Sequence, residues 1–200
     1  MLIIEGVVGV GKSSLMNILA EEGYVPFREP VLDNPILDKF YTDRKRYAFP
    51  LQVYFLTKRF EHLLTAAMVD NAVMDRSIYG DGIFAAMHHE SGTMDADEYR
   101  IYAELYTAMI SAVRRPTLVV YLRCNVDTAM ERIRKRGRSF EQDVERDYWE
   151  RLHAKYETLF EHYTGSKLLV INVDDLDFEA DEDDRAYVLL RIQEALRDQA

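Results

Sequence analysis

The eight residues from Gly6 to Ser13 constrain the fold of this chain more than any other stretch. They match the pattern G-x-x-x-x-G-K-[ST] without a mismatch. The apolar run Met1–Ile4 precedes them and the helix-like run Ser14–Ala20 follows, which is the strand–loop–helix setting that this pattern requires. In such a loop, glycines let backbone N–H groups turn towards an anion that also faces a helix N-terminus. The motif therefore predicts a nucleoside triphosphate site within an α/β fold.

Individual residues of this motif have separate expected roles. Lys12 is expected to reach the β- and γ-phosphates of ATP, and the Ser13 hydroxyl is expected to hold Mg²⁺. A plain glycine-rich turn would not explain a Lys-Ser pair directly after the last glycine. The further ATP-binding candidates of this stretch are Gly6, Gly9, Gly11 and Ser14.

The composition predicts one soluble domain. The 200 residues, of which 48% are hydrophobic, suit a single α/β domain covering residues 1–200. No apolar run approaches the roughly 18 residues needed to cross a membrane. Because the motif begins at Gly6, we expect no signal peptide and a cytoplasmic location. Cys124 is the single cysteine, which rules out an intramolecular disulfide and suits a buried thiol in a reducing compartment.

Charge is distributed unevenly along the chain. The net charge of −10 argues against a nucleic-acid polymer as a partner. Eight of the eleven residues 174–184 are acidic, and most of this run is interpreted as a solvated loop. Five of the seven residues 132–138 are basic, and such a dense cluster in an acidic protein suits a small polyanion such as ATP. Arg132 and Arg136 are four residues apart on one helix face, where bound polyphosphate would relieve their mutual repulsion.

Short apolar strands alternate with helical segments along the chain, and this alternation predicts a parallel sheet with helices on both faces. The predicted strands are Leu2–Glu5, Tyr24–Arg28, Ala72–Met74, Thr117–Leu122 and Leu168–Ile171. The predicted helices are Lys12–Glu22, Asn34–Tyr41, Phe49–Asp70, Tyr79–Glu90, Asp95–Arg114, Val126–Lys135, Phe140–Tyr163 and Arg185–Arg197.

Polar residues follow three of the predicted strands. They are Gly6, Glu29 and the triplet 75–77, and ligands of parallel sheets bind beyond these carboxyl ends. Glu29, held rigid by Pro30, is a candidate base for the proton of a phosphate acceptor. Arg76 is the expected partner of Glu29 and can also meet the transferring phosphate. The same acid lies about 20 residues past the glycines, as in a dinucleotide-binding fold, but Ser14 stands where that fold needs its third glycine.

Two polar residues of the long predicted helix lie on one face. Gln52 and Arg59 are seven residues apart, which is two helical turns. A glutamine amide offers a donor and an acceptor in a fixed pair, as the edge of a nucleobase requires.

The spacing of these residues resembles the deoxyribonucleoside kinase family over almost the whole chain, with the bacterial deoxyadenosine and deoxyguanosine kinases as the most similar branch. Tyr41 precedes Gln52 by eleven residues, and Arg59 follows Gln52 by seven. Asp81 follows Arg76 by five, as in members that accept cytosine or purine bases. The other matching features are the Gly6–Ser13 loop, Glu29-Pro30, the triplet Asp75-Arg76-Ser77, the lid pattern R-x-x-x-R-x-R at Arg132, Arg136 and Arg138, and Glu141.

The resemblance implies a role for each matching residue. Glu29 would be the base for a 5′-hydroxyl, with Arg76 orienting it and stabilising the transferring phosphoryl group. Tyr41 and Glu141 would hold the sugar 3′-hydroxyl. The base would meet Gln52, Arg59, Asp81 and a stacking Phe84. The donor would meet Arg132, Arg136 and Arg138 of a lid at about residues 132–141, and Asp177 with Phe178 beside its adenine.

The resemblance also suggests the substrate and the assembly. Asp75 replaces the usual Glu, so that contact with Mg²⁺ would run through water, and Leu51 replaces a common Phe. The pair Arg59 and Asp81 points away from thymidine, and an ionised Asp81 prefers adenine or cytosine. We expect a kinase that prefers deoxyadenosine, with deoxyguanosine and deoxycytidine as alternatives. Family members are commonly homodimers through helices near Tyr99–Met109, so we expect a homodimer without a membrane partner.

Two other functions remain open at this stage. A nucleoside monophosphate kinase similar to thymidylate kinase could use Arg28 and Arg44 for a second phosphate, although Glu29 and Glu141 would crowd that anion. A GTP-binding switch would need an N/T-K-x-D motif, and the stretch Asn172–Asp175 lacks its lysine.

Overall fold

The centre of the fold is strand β1 (Leu2–Glu5), in which every residue is buried. The computed structural model describes residues 1–28, 34–138 and 144–197. Within these ranges the chain forms a parallel sheet of five strands in the order β2-β3-β1-β4-β5, which confirms the predicted fold class. The other strands are β2 (Val25–Phe27), β3 (Ala72–Asp75), β4 (Leu118–Arg123) and β5 (Lys167–Asn172).

Helices connect these strands and cover the sheet. They are α1 (Lys12–Glu21), α2 (Leu37–Thr42), α3 (Arg44–Ala66), α4 (Asp81–Glu90), α5 (Ala96–Ala112), α6 (Val126–Arg136), α7 (Arg146–Glu161) and α8 (Glu182–Arg197). A short 3₁₀ turn, Ile78–Gly80, leads into α4. No helix in the described ranges has the length and apolar character needed to span a bilayer.

Helix α3 begins earlier than predicted. The sequence suggested a start near Phe49, from apolar residues that recur at helical spacing from Val53 onward. Instead the side chain of Asp43 caps the helix by accepting a hydrogen bond from the backbone N–H of Arg46 (3.1 Å), and Pro50 lies inside the helix. The extra turn stabilised by this cap extends α3 back to Arg44.

Two further boundaries differ from the prediction. The helix predicted over Phe140–Tyr163 is wrong at its start, because Glu145 has an extended backbone and α7 begins at Arg146. Residues 139–143 lie outside the described residues. The acidic run 174–184 is partly helical, since Glu182–Asp184 form the first turn of α8. Carboxylates are stabilised there by the partial positive charge of the helix N-terminus.

The register of the sheet determines which loops meet at its carboxyl edge. Ile4 of β1 pairs with Asp75 of β3 on one side and with Val120 of β4 on the other. The loop after β1 therefore lies beside the end of β3, at the point where the strand order reverses, and ligands of open α/β sheets bind at such a point. A second, smaller apolar cluster of Phe40, Ala48 and Leu51 joins α2 to α3.

Candidate active site

The loop between β1 and α1 has the backbone of a phosphate-binding loop. Gly9 and Gly11 have φ values of 85° and 102°, a region that favours glycine. A Cβ atom on Gly9 would lie 2.6 Å from the carbonyl oxygen of Ala129, and one on Gly11 would lie 2.8 Å from Cζ of Phe178. The ammonium group of Lys12 is buried at the loop, where it donates hydrogen bonds to the carbonyl oxygens of Gly6 (2.9 Å) and Val7 (2.8 Å). The loop is thus shaped by its packing as well as by its glycines.

Ser13 and Asp75 meet beside this loop. The Ser13 hydroxyl donates a hydrogen bond of 3.4 Å to Oδ2 of Asp75, which joins α1 to the end of β3. Oδ1 of Asp75 is buried and has no hydrogen-bond partner among the described residues. A buried carboxylate oxygen without a partner is costly unless something else satisfies it. One hydroxyl and one carboxylate fit Mg²⁺, which takes one or two protein oxygens and completes its shell with phosphates and water.

Arg76 is held in an unusual backbone conformation directly after β3. Its φ of 65° lies in the left-handed region, which costs energy for a residue with a side chain. Its backbone N–H donates to the carbonyl oxygen of Ile4 (3.0 Å). Its buried guanidinium donates through Nη1 to the hydroxyl of Tyr156 (2.6 Å) and lies 5.2 Å from the ring centre of Phe84. Strain of this kind is concentrated at functional sites.

Sequence reasoning missed Glu5 and Tyr156. Glu5 is the last residue of β1, is fully buried, and accepts hydrogen bonds from the backbone N–H (2.8 Å) and hydroxyl (2.5 Å) of Ser77. Burial raises the pKa of the Glu5 carboxyl, while the Ser77 hydrogen bonds and the charges of Arg76 and Lys12 oppose this rise. The detectable signal was a carboxylate that ends an otherwise apolar strand. No comparable signal marks Tyr156, which lies 80 residues after Arg76.

Three residues predicted to read a nucleobase are buried where α3 faces α4. Arg59 and Asp81 form a buried ion pair through Nη1 and Oδ1. The Arg59 guanidinium also lies 5.0 Å from the ring centre of Phe55. Gln52, two turns before Arg59 on α3, is 5% exposed. The arrangement offers an amide and a charged pair to a flat polar ligand.

Two further predicted nucleoside contacts, Tyr41 and Phe84, fall within the described residues. Tyr41 of α2 is 40% exposed, and its ring packs edge-on against Phe40. Phe84 of α4 is half-buried between Arg76 and Tyr156. Glu29 and Glu141 lie outside the described residues, as does Pro30.

A further residue near the ion pair was also missed. Tyr102 of α5 is 1% exposed, and its hydroxyl has no hydrogen-bond partner among the described residues. Burial raises the pKa of Tyr102, and the negative charge of Asp81 raises it further. The helical spacing of tyrosines in this segment indicated packing, but it did not indicate proximity to Asp81.

The predicted lid arginines differ in their surroundings. Arg132 is half-buried and donates to three carbonyl oxygens, those of Val10 (3.3 Å), Val173 (2.7 Å) and Leu176 (3.0 Å). It thereby ties the segment after β5 to the phosphate-binding loop. Arg136, the last residue of α6, and Arg138 are exposed.

The segment after β5 also packs against the donor side of the site. Phe178 is buried with its ring tip against Gly11, whereas the backbone N–H of Asp177 is bound by the carboxylate of Asp184 (2.7 Å). The Ser14 hydroxyl donates to Glu179 at 2.7 Å. This segment therefore forms part of the wall beside the phosphate-binding loop.

A phosphate-binding loop, a strained arginine and a buried polar pocket at one sheet edge define a P-loop enzyme that transfers phosphoryl groups to a small acceptor. Sequence comparison specifies the acceptor class. The profile of the family described as "Deoxynucleoside kinase" matches residues 2–197, and the chain belongs to this family. It is an ATP-dependent deoxynucleoside kinase, and this assignment decides against the nucleoside monophosphate kinase and the GTP-binding switch that the sequence left open.

Individual relatives agree with this assignment. A deoxyguanosine kinase of Lactobacillus acidophilus is 41% identical over 98% of this chain and 91% of its own. A deoxyadenosine kinase of the same organism is 40% identical over 98% of this chain and 96% of its own. The solved structure of deoxyadenosine kinase from M. mycoides with bound dATP has a TM-score of 0.83 and 30% identity, and the match covers 96% of this chain and 98% of that one.

Proposed function

We propose that this kinase transfers the γ-phosphate of ATP to the 5′-hydroxyl of purine deoxynucleosides, with deoxyadenosine as the preferred acceptor, and that residues 1–200 act as one catalytic domain. The observation that carries the proposal is the buried Arg59–Asp81 pair, with Gln52 buried two turns earlier on the same helix as Arg59. An ionised Asp81 accepts from the exocyclic amine of adenine, whereas guanine presents an acceptor at the equivalent position. The names of the relatives, deoxyadenosine kinase and deoxyguanosine kinase, support purine acceptors.

Substrate preference is tested by comparing kcat/KM for the four common deoxynucleosides at saturating ATP. We expect the order deoxyadenosine first, then deoxyguanosine or deoxycytidine, and thymidine last. If thymidine were the best substrate, the proposed role of the ion pair would be wrong. Deoxyadenosine monophosphate is the matched acceptor control, because a monophosphate kinase would use it in preference to the nucleoside.

Phosphoryl transfer requires positioning and charge neutralisation by this chain's own residues. Lys12 is proposed to leave its two carbonyl partners for the β- and γ-phosphates, and Arg76 is proposed to face the transferring group. Ser13 and Asp75 would hold Mg²⁺, and the buried Oδ1 of Asp75 supports this proposal. When bound, Mg²⁺ would neutralise charge on the phosphate oxygens.

Glu29 is proposed as the base for the 5′-hydroxyl, on the resemblance of Glu29-Pro30 to the family motif. The strand that leads to it is fixed at its last described residue, because Arg28 donates to Oδ1 of Asn17 on α1 (2.7 Å). Glu29→Gln is expected to reduce kcat by about 100- to 10,000-fold while the Kd for deoxyadenosine changes little. Turnover near the wild-type level would remove Glu29 from the mechanism.

Tyr41, Glu141 and Phe84 are proposed to contact the nucleoside, the first two at the 3′-hydroxyl and Phe84 at the base. The donor is proposed to meet Gly6, Gly9, Gly11 and Ser14, the lid residues Arg136 and Arg138, and the wall formed by Asp177 and Phe178. Arg132 would act partly through the backbone it holds. Since Arg132 binds three carbonyl oxygens, Arg132→Ala is expected to weaken ATP binding and also to lower stability, and to lower stability more than substitution of the exposed Arg136 by alanine does.

We also propose that the kinase is a homodimer through α3 and α5. Apolar side chains are exposed on this part of the surface, namely Leu64 (47%), Met68 (87%) and Ile101 (43%). Ile101→Glu is expected to shift the mass in solution towards that of a monomer. Leu190→Glu on α8, where the leucine is 49% exposed, is the matched control and is expected to leave the mass unchanged. A monomeric wild-type protein would contradict the proposal.

A further inference from the structure

The surroundings of Arg76 contain buried polar groups to which the family motifs assign no role. We propose that Tyr156 and Glu5 are positioning residues that hold Arg76 in the geometry needed for phosphoryl transfer. This inference rests on the role proposed above for Arg76. Glu5 acts on the backbone of Arg76 through Ser77, and Tyr156 acts on its guanidinium.

The left-handed backbone of Arg76 is fixed on both sides. On its N-terminal side, its own N–H binds the carbonyl oxygen of Ile4 in β1. On its C-terminal side, Glu5 of the same strand accepts both the N–H and the hydroxyl of Ser77. The Ser77 hydroxyl in turn accepts from the N–H of Tyr79 (3.1 Å) and so begins the 3₁₀ turn. A strained conformation persists when its neighbours determine it in this way.

The guanidinium of Arg76 is oriented by aromatic side chains. Nη1 donates to the hydroxyl of Tyr156, and the guanidinium carbon lies 5.2 Å and 5.9 Å from the ring centres of Phe84 and Tyr156. These distances are within the range of cation–π attraction. An arginine carries five N–H donors, and the bond to Tyr156 orients the group while using one of them.

Glu5 and Tyr156 border the same small space at Gly80. A Cβ atom on Gly80 would lie 3.3 Å from Oε2 of Glu5 and 3.3 Å from the hydroxyl of Tyr156, which is closer than ordinary van der Waals contact. The φ of −76° at Gly80 suits any residue, so the fit rather than the backbone favours glycine here. A methyl group added at Gly80 would therefore displace the side chains of both Glu5 and Tyr156.

Glu5 also lies among the buried cations of the site. The charges of Arg76 and Lys12 both stabilise its ionised form. Oε2 of Glu5 is buried and has no hydrogen-bond partner among the described residues, so the carboxylate is held by Ser77 and by these charges. Glu5 thus connects the phosphate-binding loop to the residue that faces the transferring group.

The first test compares Tyr156→Phe with Tyr121→Phe. The Tyr156 hydroxyl accepts a hydrogen bond from Arg76 (2.6 Å), the Tyr121 hydroxyl donates one to Glu157 (2.7 Å), and both rings stack on Phe160. Tyr156→Phe is expected to lower kcat by about 10- to 100-fold, as the loss of a supporting hydrogen bond typically does. KM values should stay within about twofold, because the support acts on the transition state. Tyr121→Phe is expected to leave kcat unchanged, although both variants lose a similar amount of thermal stability.

The second test uses glycine substitutions, which remove no hydrogen-bonding group. Gly80→Ala is expected to lower kcat with little change in KM. Gly82→Ala is the matched control, since its Cβ would meet only the ring of Tyr106 at an ordinary 3.9 Å. Glu5→Gln keeps the shape of the side chain but removes its negative charge, and it is expected to lower kcat as well. Equal kcat values for Gly80→Ala and Gly82→Ala would overturn the inference.

Arg76→Lys separates the failure of this inference from the failure of the proposed role of Arg76. If Arg76→Lys retains full kcat, the role of Arg76 is wrong, and the inference falls with it. If Arg76→Lys loses kcat but Tyr156→Phe behaves like Tyr121→Phe, the role of Arg76 stands and the inference alone is overturned. If the inference holds, adding Tyr156→Phe to Arg76→Lys causes less further loss than Tyr156→Phe causes in the wild type.

Discussion

Arg59 of α3 and Asp81 of α4 form an ion pair with only 5% and 2% of their side chains exposed. The stability of a buried ion pair depends on both charges, because removing one leaves the other buried without an opposite charge and away from water. The pair therefore serves the packing of α3 against α4 as well as the proposed reading of the base.

Arg59→Met is expected to destabilise the protein by about 3–5 kcal/mol, because it leaves Asp81 buried without its cation. Denaturant unfolding measures this loss. Adding Asp81→Asn to Arg59→Met is expected to restore part of the stability and to reduce the preference for deoxyadenosine over thymidine. Lys58→Met is the control, since Lys58 forms an exposed ion pair with Glu61 on the same helix and should matter little. Equal unfolding midpoints for Arg59→Met and Lys58→Met would contradict the prediction.

Asp75→Asn is expected to raise the Mg²⁺ concentration needed for half-maximal activity, because an amide oxygen is a weaker ligand than a carboxylate oxygen. The measurement is initial rate against Mg²⁺ concentration after treatment with EDTA. Asp70→Asn, an exposed carboxylate before the other end of β3, is the control and should leave this dependence unchanged. An unchanged half-maximal concentration for Asp75→Asn would exclude Asp75 from the metal site.

Tyr102→Phe is expected to raise the free energy of unfolding by about 1 kcal/mol, because it removes a buried hydroxyl without a hydrogen-bond partner among the described residues. Tyr106→Phe provides the comparison, since the Tyr106 hydroxyl donates to the carbonyl oxygen of Tyr79 (3.4 Å) and its loss should not stabilise. The measurement is the melting temperature of each variant relative to the wild type. A lower melting temperature for Tyr102→Phe would mean that its hydroxyl is satisfied.

His88 is expected to make the protein less stable below neutral pH. Burial, aided by the charge of Arg44, lowers the pKa of His88 to about 4 from an ordinary 6.5. Between these values the unfolded chain binds a proton that the folded protein does not, so stability falls as the pH drops from 6.5 to 4. The loss attributable to this group is at most about 3 kcal/mol. His88→Gln should flatten the pH dependence of unfolding in this window, and the exposed His162→Gln should not; equal slopes for the two variants would contradict the assignment.

The sequence was sufficient for the parts of the site that depend on local spacing. The Gly6–Ser13 motif fixes a strand, a loop and a helix in succession, and all three have the predicted positions. Arg59 and Asp81 were paired by resemblance, and the fold brings them into contact. Alternation of apolar strands and helices predicted the parallel sheet, and its three middle strands, β3, β1 and β4, are buried along nearly their whole length.

Other features depend on contacts between distant segments, which spacing does not encode. Tyr156 meets Arg76 because α7 packs against α4, the helix that follows Arg76 along the chain. Arg132 was predicted to face phosphate from the density of positive charge and from the lid pattern R-x-x-x-R-x-R, but three carbonyl oxygens hold its guanidinium against the segment after β5. The direction of a long side chain is decided by the acceptors around it, and those acceptors belong to residues 10, 173 and 176.

The contact between Gly11 and Phe178 has a consequence for how this enzyme folds during synthesis on the ribosome. The ring that packs against the phosphate-binding loop is made more than 160 residues after the loop itself. Strand β1 likewise has one unpaired edge until the residues of β4, Leu118–Arg123, have been made. A nascent chain therefore carries its nucleotide-binding motif well before the wall of that site exists, and ATP can stabilise the complete site only after Phe178 has been made.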